Sequence, residues 1–170
     1  DILIHPTNPN TLYIATGFNS SFVPQNYGVG VLNSAYGGVT WDDTELTKAT
    51  MATVPIKAEL RKLAITKLAF HPSNPKLIYA LSHDEVHRWL DDDQDYGSIP
   101  ANVDEVLTFP GDNRSKFLDI EFVQVPNTND YDTYISTSGV WNDPNDTETT
   151  DYECSGKLYR SPDDGNTWID

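Results

Sequence analysis

Apolar and polar residues alternate along this chain in short runs, with turn-forming residues between them. The run Phe117–Val125 places Leu118, Ile120 and Phe122 on one face and Asp119 and Glu121 on the other. That period of two is the mark of a half-buried strand. Comparable runs occupy Ile2–His5, Thr11–Gly17, Gly28–Ser34, Leu68–His71, Leu77–Ser82, Glu85–Leu90, Val103–Phe109, Thr133–Thr137 and Lys157–Ser161. Each is rich in β-branched, aliphatic or aromatic residues and bounded by Gly, Pro, Asn, Asp or Ser, so strands are predicted throughout. Lys57–Ala64 departs from this pattern. Its good helix formers at near-helical spacing predict either a short helix or an extended lead into the next strand.

The strands recur in a fixed order. Ile4-His5-Pro6-Thr7-Asn8-Pro9-Asn10-Thr11-Leu12-Tyr13 returns as Phe70-His71-Pro72-Ser73-Asn74-Pro75-Lys76-Leu77-Ile78-Tyr79, an offset of 71 − 5 = 66 residues. A looser third copy begins at Phe122 and resumes at Thr133-Tyr134-Ile135. Each is a strand, a turn of Pro, Asn, Ser or Thr, and a second strand carrying a tyrosine. Self-similarity at this period, written in strand chemistry, predicts stacked sheet units with four strands each. The fourth strand of the first unit is expected from Val39, and that of the third from Asn166.

A second phrase marks the turn after the third strand of a unit. It reads Ser161-Pro162-Asp163-Asp164-Gly165-Asn166-Thr167-Trp168, with an earlier copy at Ser34-Ala35-Tyr36-Gly37-Gly38-Val39-Thr40-Trp41. Aspartate tolerates left-handed backbone and accepts amide hydrogen bonds, glycine takes positive φ without strain, and tryptophan covers the turn. Ser161 and Thr167 are expected to pair across it. In the earlier copy Tyr36 stands where Asp163 does.

Together these phrases resemble the Asp-box, or BNR, repeat of β-propellers, a family that includes sialidase-like, xyloglucanase-like and sortilin-like members. The resemblance implies an all-β fold, a propeller fragment of about three four-stranded antiparallel blades. A single partial domain over 1–170 would hold blade one at about 1–42, blade two at about 67–109 and blade three at about 117–170. It assigns a structural role to Ser34, Gly38, Thr40, Trp41, Ser161, Asp163, Gly165, Thr167 and Trp168. A closed propeller takes roughly four blades or more. The remaining blades of the same propeller or parent polypeptide are therefore expected partners. The chain opens directly in a strand-like run and stops two residues after Trp168, as if continuing at both ends in a longer polypeptide.

In an up-and-down unit, successive connections alternate between two edges. The turns between first and second strands are short proline-asparagine phrases. Two of those between third and fourth strands are the serine-glycine-tryptophan phrases, while residues 91–102 read as a degenerate turn of the same class. The long segments Phe18–Tyr27, Asp43–Thr66, Pro110–Lys116 and Ser138–Gly156 all fall in the other class and are expected on one face. Loops on a rigid scaffold are where binding usually resides. Phe18, Phe22, Tyr27, Trp141 and Tyr152 lie in these loops and are the candidate ligand-binding aromatics.

Charge narrows the partners. Against 26 acidic residues stand 11 basic ones, for a formal net charge of −15. Such a surface repels phosphate backbones and anionic lipid, which argues against nucleic acid. No apolar run reaches the ~18 residues of a membrane-spanning helix, so membrane insertion is not expected. Cys154 is the only cysteine, so no intrachain disulfide forms.

No cofactor motif stands out. Asp91, Asp93 and Asp95 sit at alternate positions, the way calcium loops gather oxygens, but Gly97 and Asn102 do not match the glycine and closing glutamate of an EF-hand. Calcium is the only ion these spacings suggest, and a solvated acidic turn is the simpler reading. A sialidase needs clustered arginines, and two of the four here, Arg88 and Arg160, fall in separate third strands. The aspartate expected of a xyloglucan hydrolase before a Gly-Gly pair is replaced by Tyr36. The resemblance therefore implies a non-catalytic binding or scaffold module of a larger secreted or cell-surface bacterial protein, with a glycan or protein ligand on the long-loop face. The alternative is part of the catalytic domain of a xyloglucanase-like glycoside hydrolase.

Overall fold

The computed structural model describes residues 1–16, 30–41, 64–82, 85–91, 103–108, 116–138 and 156–170. Among them the protein is all-β, with strands arranged in three antiparallel sheets and no helix. The segment 57–63, read as helix or extended, lies outside the described residues.

The first sheet is a meander of β1 (Ile2–Ile4), β2 (Leu12–Thr16) and β3 (Gly30–Ser34). The second joins β4 (Lys67–His71), β5 (Asn74–Leu81), β6 (Glu85–Leu90) and β7 (Val103–Thr108) in sequence order. The third holds β8 (Phe117–Gln124), β9 (Tyr131–Thr137) and β10 (Leu158–Ser161), with an isolated bridge from Arg160 to Ile169. Four strands were expected in every unit. The first and third sheets show three each among the described residues, and residues 39–41 form no strand.

The sheets stack face to face, and β5 explains why. Leu77, Ile78, Tyr79, Ala80 and Leu81 are all buried, so this strand is apolar on both faces. Its even positions Ile78 and Ala80 join Tyr13, Ala15, Ile65, Leu68 and Trp89 in one core, between the first and second sheets. Its odd positions Leu77, Tyr79 and Leu81 join Val86, Phe117, Ile120 and Ile135 in another, between the second and third. A fully buried aliphatic side chain contributes about 1.5–3 kcal/mol. The middle sheet collects that on both sides.

The alternation expected in β8 is interrupted. Leu118 was placed with Ile120 and Phe122, yet it is 54% exposed. Phe117 pairs with Thr137 and Asp119 with Ser136, so Leu118 is an extra residue in a β-bulge. A bulge reverses the parity of the strand before it. Phe117 therefore turns inward beside Ile120, and Leu118 faces solvent.

Candidate functional site

The best-defined polar cluster of the described residues lies where the 161–168 turn meets the second sheet. The turn follows β10 and reverses through two consecutive left-handed residues, Asp164 (φ 56°) and Gly165 (φ 84°). The fully buried Ser161 caps it, its Oγ accepting from the Gly165 amide at 2.7 Å. Asp163 ties the two ends. Its Oδ1 accepts from Ser161 Oγ at 2.9 Å and from the Thr167 amide at 2.8 Å. Its Oδ2 accepts from Thr167 Oγ1 at 2.8 Å. The hydroxyls of Ser161 and Thr167 meet across the turn through this carboxylate. Amide and hydroxyl donation from Thr167 holds the Asp163 carboxyl below the usual range, because hydrogen bonds to the charged form favour it.

The 34–41 turn reproduces this geometry without the aspartate. Gly37 (φ 63°) and Gly38 (φ 81°) take the left-handed pair. Ser34 Oγ accepts from the Gly38 amide at 3.0 Å and from the Tyr36 amide at 3.2 Å. A Cβ on Gly38 would lie 3.4 Å from Trp41 Cζ2, and one on Gly165 would lie 3.4 Å from Trp168 Cζ2. The two tryptophans thus cover equivalent glycines. Tyr36, in the aspartate's place, points into solvent at 67% exposure. Serine cap, paired left-handed residues and tryptophan lid suffice to form the turn. The carboxylate adds bonds to it.

The turn also carries an inter-sheet contact. The Tyr79 hydroxyl donates to the Asp164 carbonyl oxygen at 2.7 Å. Arg88 donates to the same carbonyl through Nη1, and through Nη2 to Asn166 Oδ1 at 2.6 Å. Burial, reinforced by the Asp164 charge, pushes the Tyr79 phenol up to about 12, so it stays a donor. His71 is 3% exposed, edge-on to Phe122 at 5.2 Å and to Tyr131 at 5.7 Å. Ser73 Oγ lies 3.1 Å from its Nδ1. Its Nε2 lies 3.1 Å from Asp164 Oδ1 but is not aligned for a hydrogen bond. Burial lowers the His71 pKa, and the Asp164 charge offsets part of that.

The junction between the first and second sheets is built from the same positions. His5 stands edge-on to Phe70 at 5.3 Å, and Tyr13 meets that ring at 5.8 Å, as Tyr79 meets Phe122 at 5.5 Å. The Tyr13 hydroxyl donates to the Asp91 carboxylate, just after the third strand of the next sheet. Asp91, a candidate calcium ligand, thus already accepts a structural hydrogen bond. Sequence reasoning passed over Tyr13, Tyr79, His71 and Arg88 as a set. The recurring His-Pro and tyrosine positions were the available signal.

Asp93, Asp95, Phe18, Phe22, Tyr27, Trp141 and Tyr152 lie outside the described residues. Arg88 and Arg160 serve different sheets, and Arg160 Nε pairs with Asp132 Oδ2 at 2.9 Å. Among the described residues, no group of three or more His, Cys, Asp or Glu could hold a metal ion. Compared with protein-family models, curated proteins and solved structures, the chain finds no match.

The residues that anchor the long segments do share one place. Thr16 pairs with Gly30, and its carbonyl accepts from the Ile65 amide at 3.1 Å. The Thr66 amide reaches the Leu81 carbonyl at 2.8 Å, and the Ser138 amide reaches the Lys116 carbonyl at 2.8 Å. The Thr137 amide donates to the Lys157 carbonyl at 2.9 Å. These bonds tie the segment ends along one edge of the stack. The short turns at 5–11, 72–73 and 125–130 occupy the opposite edge.

Proposed function

We propose that this chain is part of an Asp-box β-propeller in a secreted or cell-surface protein. Its described sheets act as blades of a non-catalytic scaffold, and a glycan or protein ligand binds at the edge from which the long segments leave. One observation carries the reading: the anchors at Thr16, Gly30, Ile65, Lys116, Ser138 and Lys157 gather on one edge, opposite the short turns. A scaffold that sends several of its long connections to one side offers them jointly to a partner. The connection from β6 to β7 leaves from the other edge, where the Asp91 amide bonds the Lys76 carbonyl. The twice-repeated junction supports radial stacking. The turn residues support a structural role for the Asp-box, since Ser161, Asp163 and Thr167 satisfy one another.

Glycan-array and peptide-library binding test this on the chain and on Phe18→Ala, Trp141→Ala and Tyr152→Ala, with Asn127→Ala on the opposite edge as control. Binding lost with the aromatic variants and kept with the control is the expected result. Binding lost only with the control overturns the placement. Release of reducing ends from a plant polysaccharide overturns the non-catalytic reading.

A further inference from the structure

His5 and His71 hold matching places in the repeated phrase, yet their rings are bonded differently. The His5 Nδ1 accepts from the backbone amides of Thr7 at 3.3 Å and Asn8 at 3.2 Å, with Thr7 Oγ1 also 3.3 Å away. That nitrogen is occupied in holding its own turn. Among the described residues, the partner of His71 Nδ1 is Ser73 Oγ at 3.1 Å, with no backbone amide on it. Ser73 is exposed, whereas the His71 ring behind it is 3% exposed.

The far side of the ring decides the tautomer. His71 Nε2 lies 3.1 Å from Asp164 Oδ1, off the line of a hydrogen bond but close to its negative charge. A carboxylate there favours the proton on Nε2. Nδ1 is then the acceptor, and the Ser73 hydroxyl is the donor. Burial also keeps the ring neutral, since it lowers the His71 pKa, so the nitrogen is free to take a proton. Asp164 is fixed in place because Tyr79 and Arg88 hold its carbonyl across the junction. Serine, histidine and aspartate thus stand in line, from the surface inward and across to the next sheet.

We infer that Ser73 is an activated nucleophile, a site of covalent acylation by an activated ester or thioester, with His71 as its base and Asp164 as the charge behind that base. Ser73 Oγ bonds to the acyl carbon and gives its proton to His71 Nδ1. The bond from that carbon to the donor's oxygen or sulfur breaks, and the leaving group takes the proton from Nδ1. The Asp164 carboxylate stabilises the imidazolium that exists between the two transfers. Thr7 is the internal comparison, a hydroxyl at the matching place whose histidine Nδ1 already accepts two amides. The event is a single transfer onto the chain, not a turnover. It takes place on the edge of short turns, and it is independent of which ligand the long segments bind.

Acetylation of the 170-residue chain by 4-nitrophenyl acetate at neutral pH is the test, read by nitrophenolate release and by peptide mass mapping. The expected result is an acetyl group on Ser73, formed about 100-fold faster than on Thr7, as a positioned base provides. Ser73→Ala should abolish that label, and Thr7→Ala should leave it. His71→Gln should slow it about 100-fold. Asp164→Asn keeps the carbonyl that Tyr79 and Arg88 hold, and should slow it about tenfold, the effect of one lost neighbouring charge on a proton acceptor. Ser73 labelled no faster than Thr7 overturns the inference, as does a label that His71→Gln leaves unslowed. If circular dichroism shows His71→Gln unfolded, Asp164→Asn decides in its place, and an unchanged rate there overturns the inference.

Discussion

Tyr79, wholly buried in the second sheet, donates its hydroxyl at 2.7 Å to the carbonyl oxygen of Asp164, a left-handed residue in a turn of the third. The bond spans 85 residues of sequence and joins the core to a turn that Arg88 of the same sheet also grips. Tyr13 makes the corresponding reach to Asp91. The sheets are thus joined by apolar packing and also by one phenol per junction.

Tyr79→Phe removes that donor while keeping the ring against Phe122. The expected loss is about 0.5–1.5 kcal/mol, the net worth of a typical hydrogen bond, since Arg88 still donates to the Asp164 carbonyl. Tyr13→Phe is expected to cost a similar amount. The two sit in different junctions and share no partner, so the double variant should be additive within about 0.5 kcal/mol. Urea denaturation of the four proteins checks both statements.

Gly38→Ala and Gly165→Ala are each expected to cost about 1–2 kcal/mol, since φ values of 81° and 84° strain any residue with a Cβ. In a chain of this size that is a drop of about 2–4 °C in Tm for each kcal/mol. Gly37→Asp should cost about 1 kcal/mol or less, because Asp164 adopts φ 56° at the equivalent place. Thermal melts followed by tryptophan fluorescence distinguish the three.

Tyr36→Asp is expected to raise Tm. The exposed tyrosine occupies the position from which Asp163 binds Ser161 and Thr167, and Ser34 and Thr40 stand ready for the same bonds. The gain should vanish in Tyr36→Asp combined with Thr40→Val. A Tm unchanged by the single substitution would show that the turn cannot use the carboxylate.

Burial lowers the His71 pKa below its ordinary 6.5, so the unfolded chain binds that proton more readily than the folded one. Stability then rises with pH between the folded and unfolded values. It is complete above about 6.5 and is lost as pH falls through the folded value. His71→Gln should remove this dependence. Asp163 adds a separate loss at lower pH, below its ordinary 3.8, because its carboxyl is also lowered. Denaturation midpoints measured from pH 7.5 down to pH 3 in the wild type and in His71→Gln resolve the two.

Much of the local structure is legible in the residues themselves. Among the described residues, the ten strands lie at or within a few positions of the runs that predict them, since period-two patterning and Gly, Pro and Asn punctuation are local properties. The two turns share a geometry because their serines, glycines and tryptophans share a spacing. What the residues alone could not specify is relational. The face taken by Phe117 and Leu118 depends on one unpaired residue in β8, and a single bulge inverts an alternation that otherwise reads cleanly. The meeting of His71 with Phe122, and of Tyr79 with Asp164, depends on how successive sheets are rotated and stacked. That is set by burial of β5 on both faces, not by any short-range pattern.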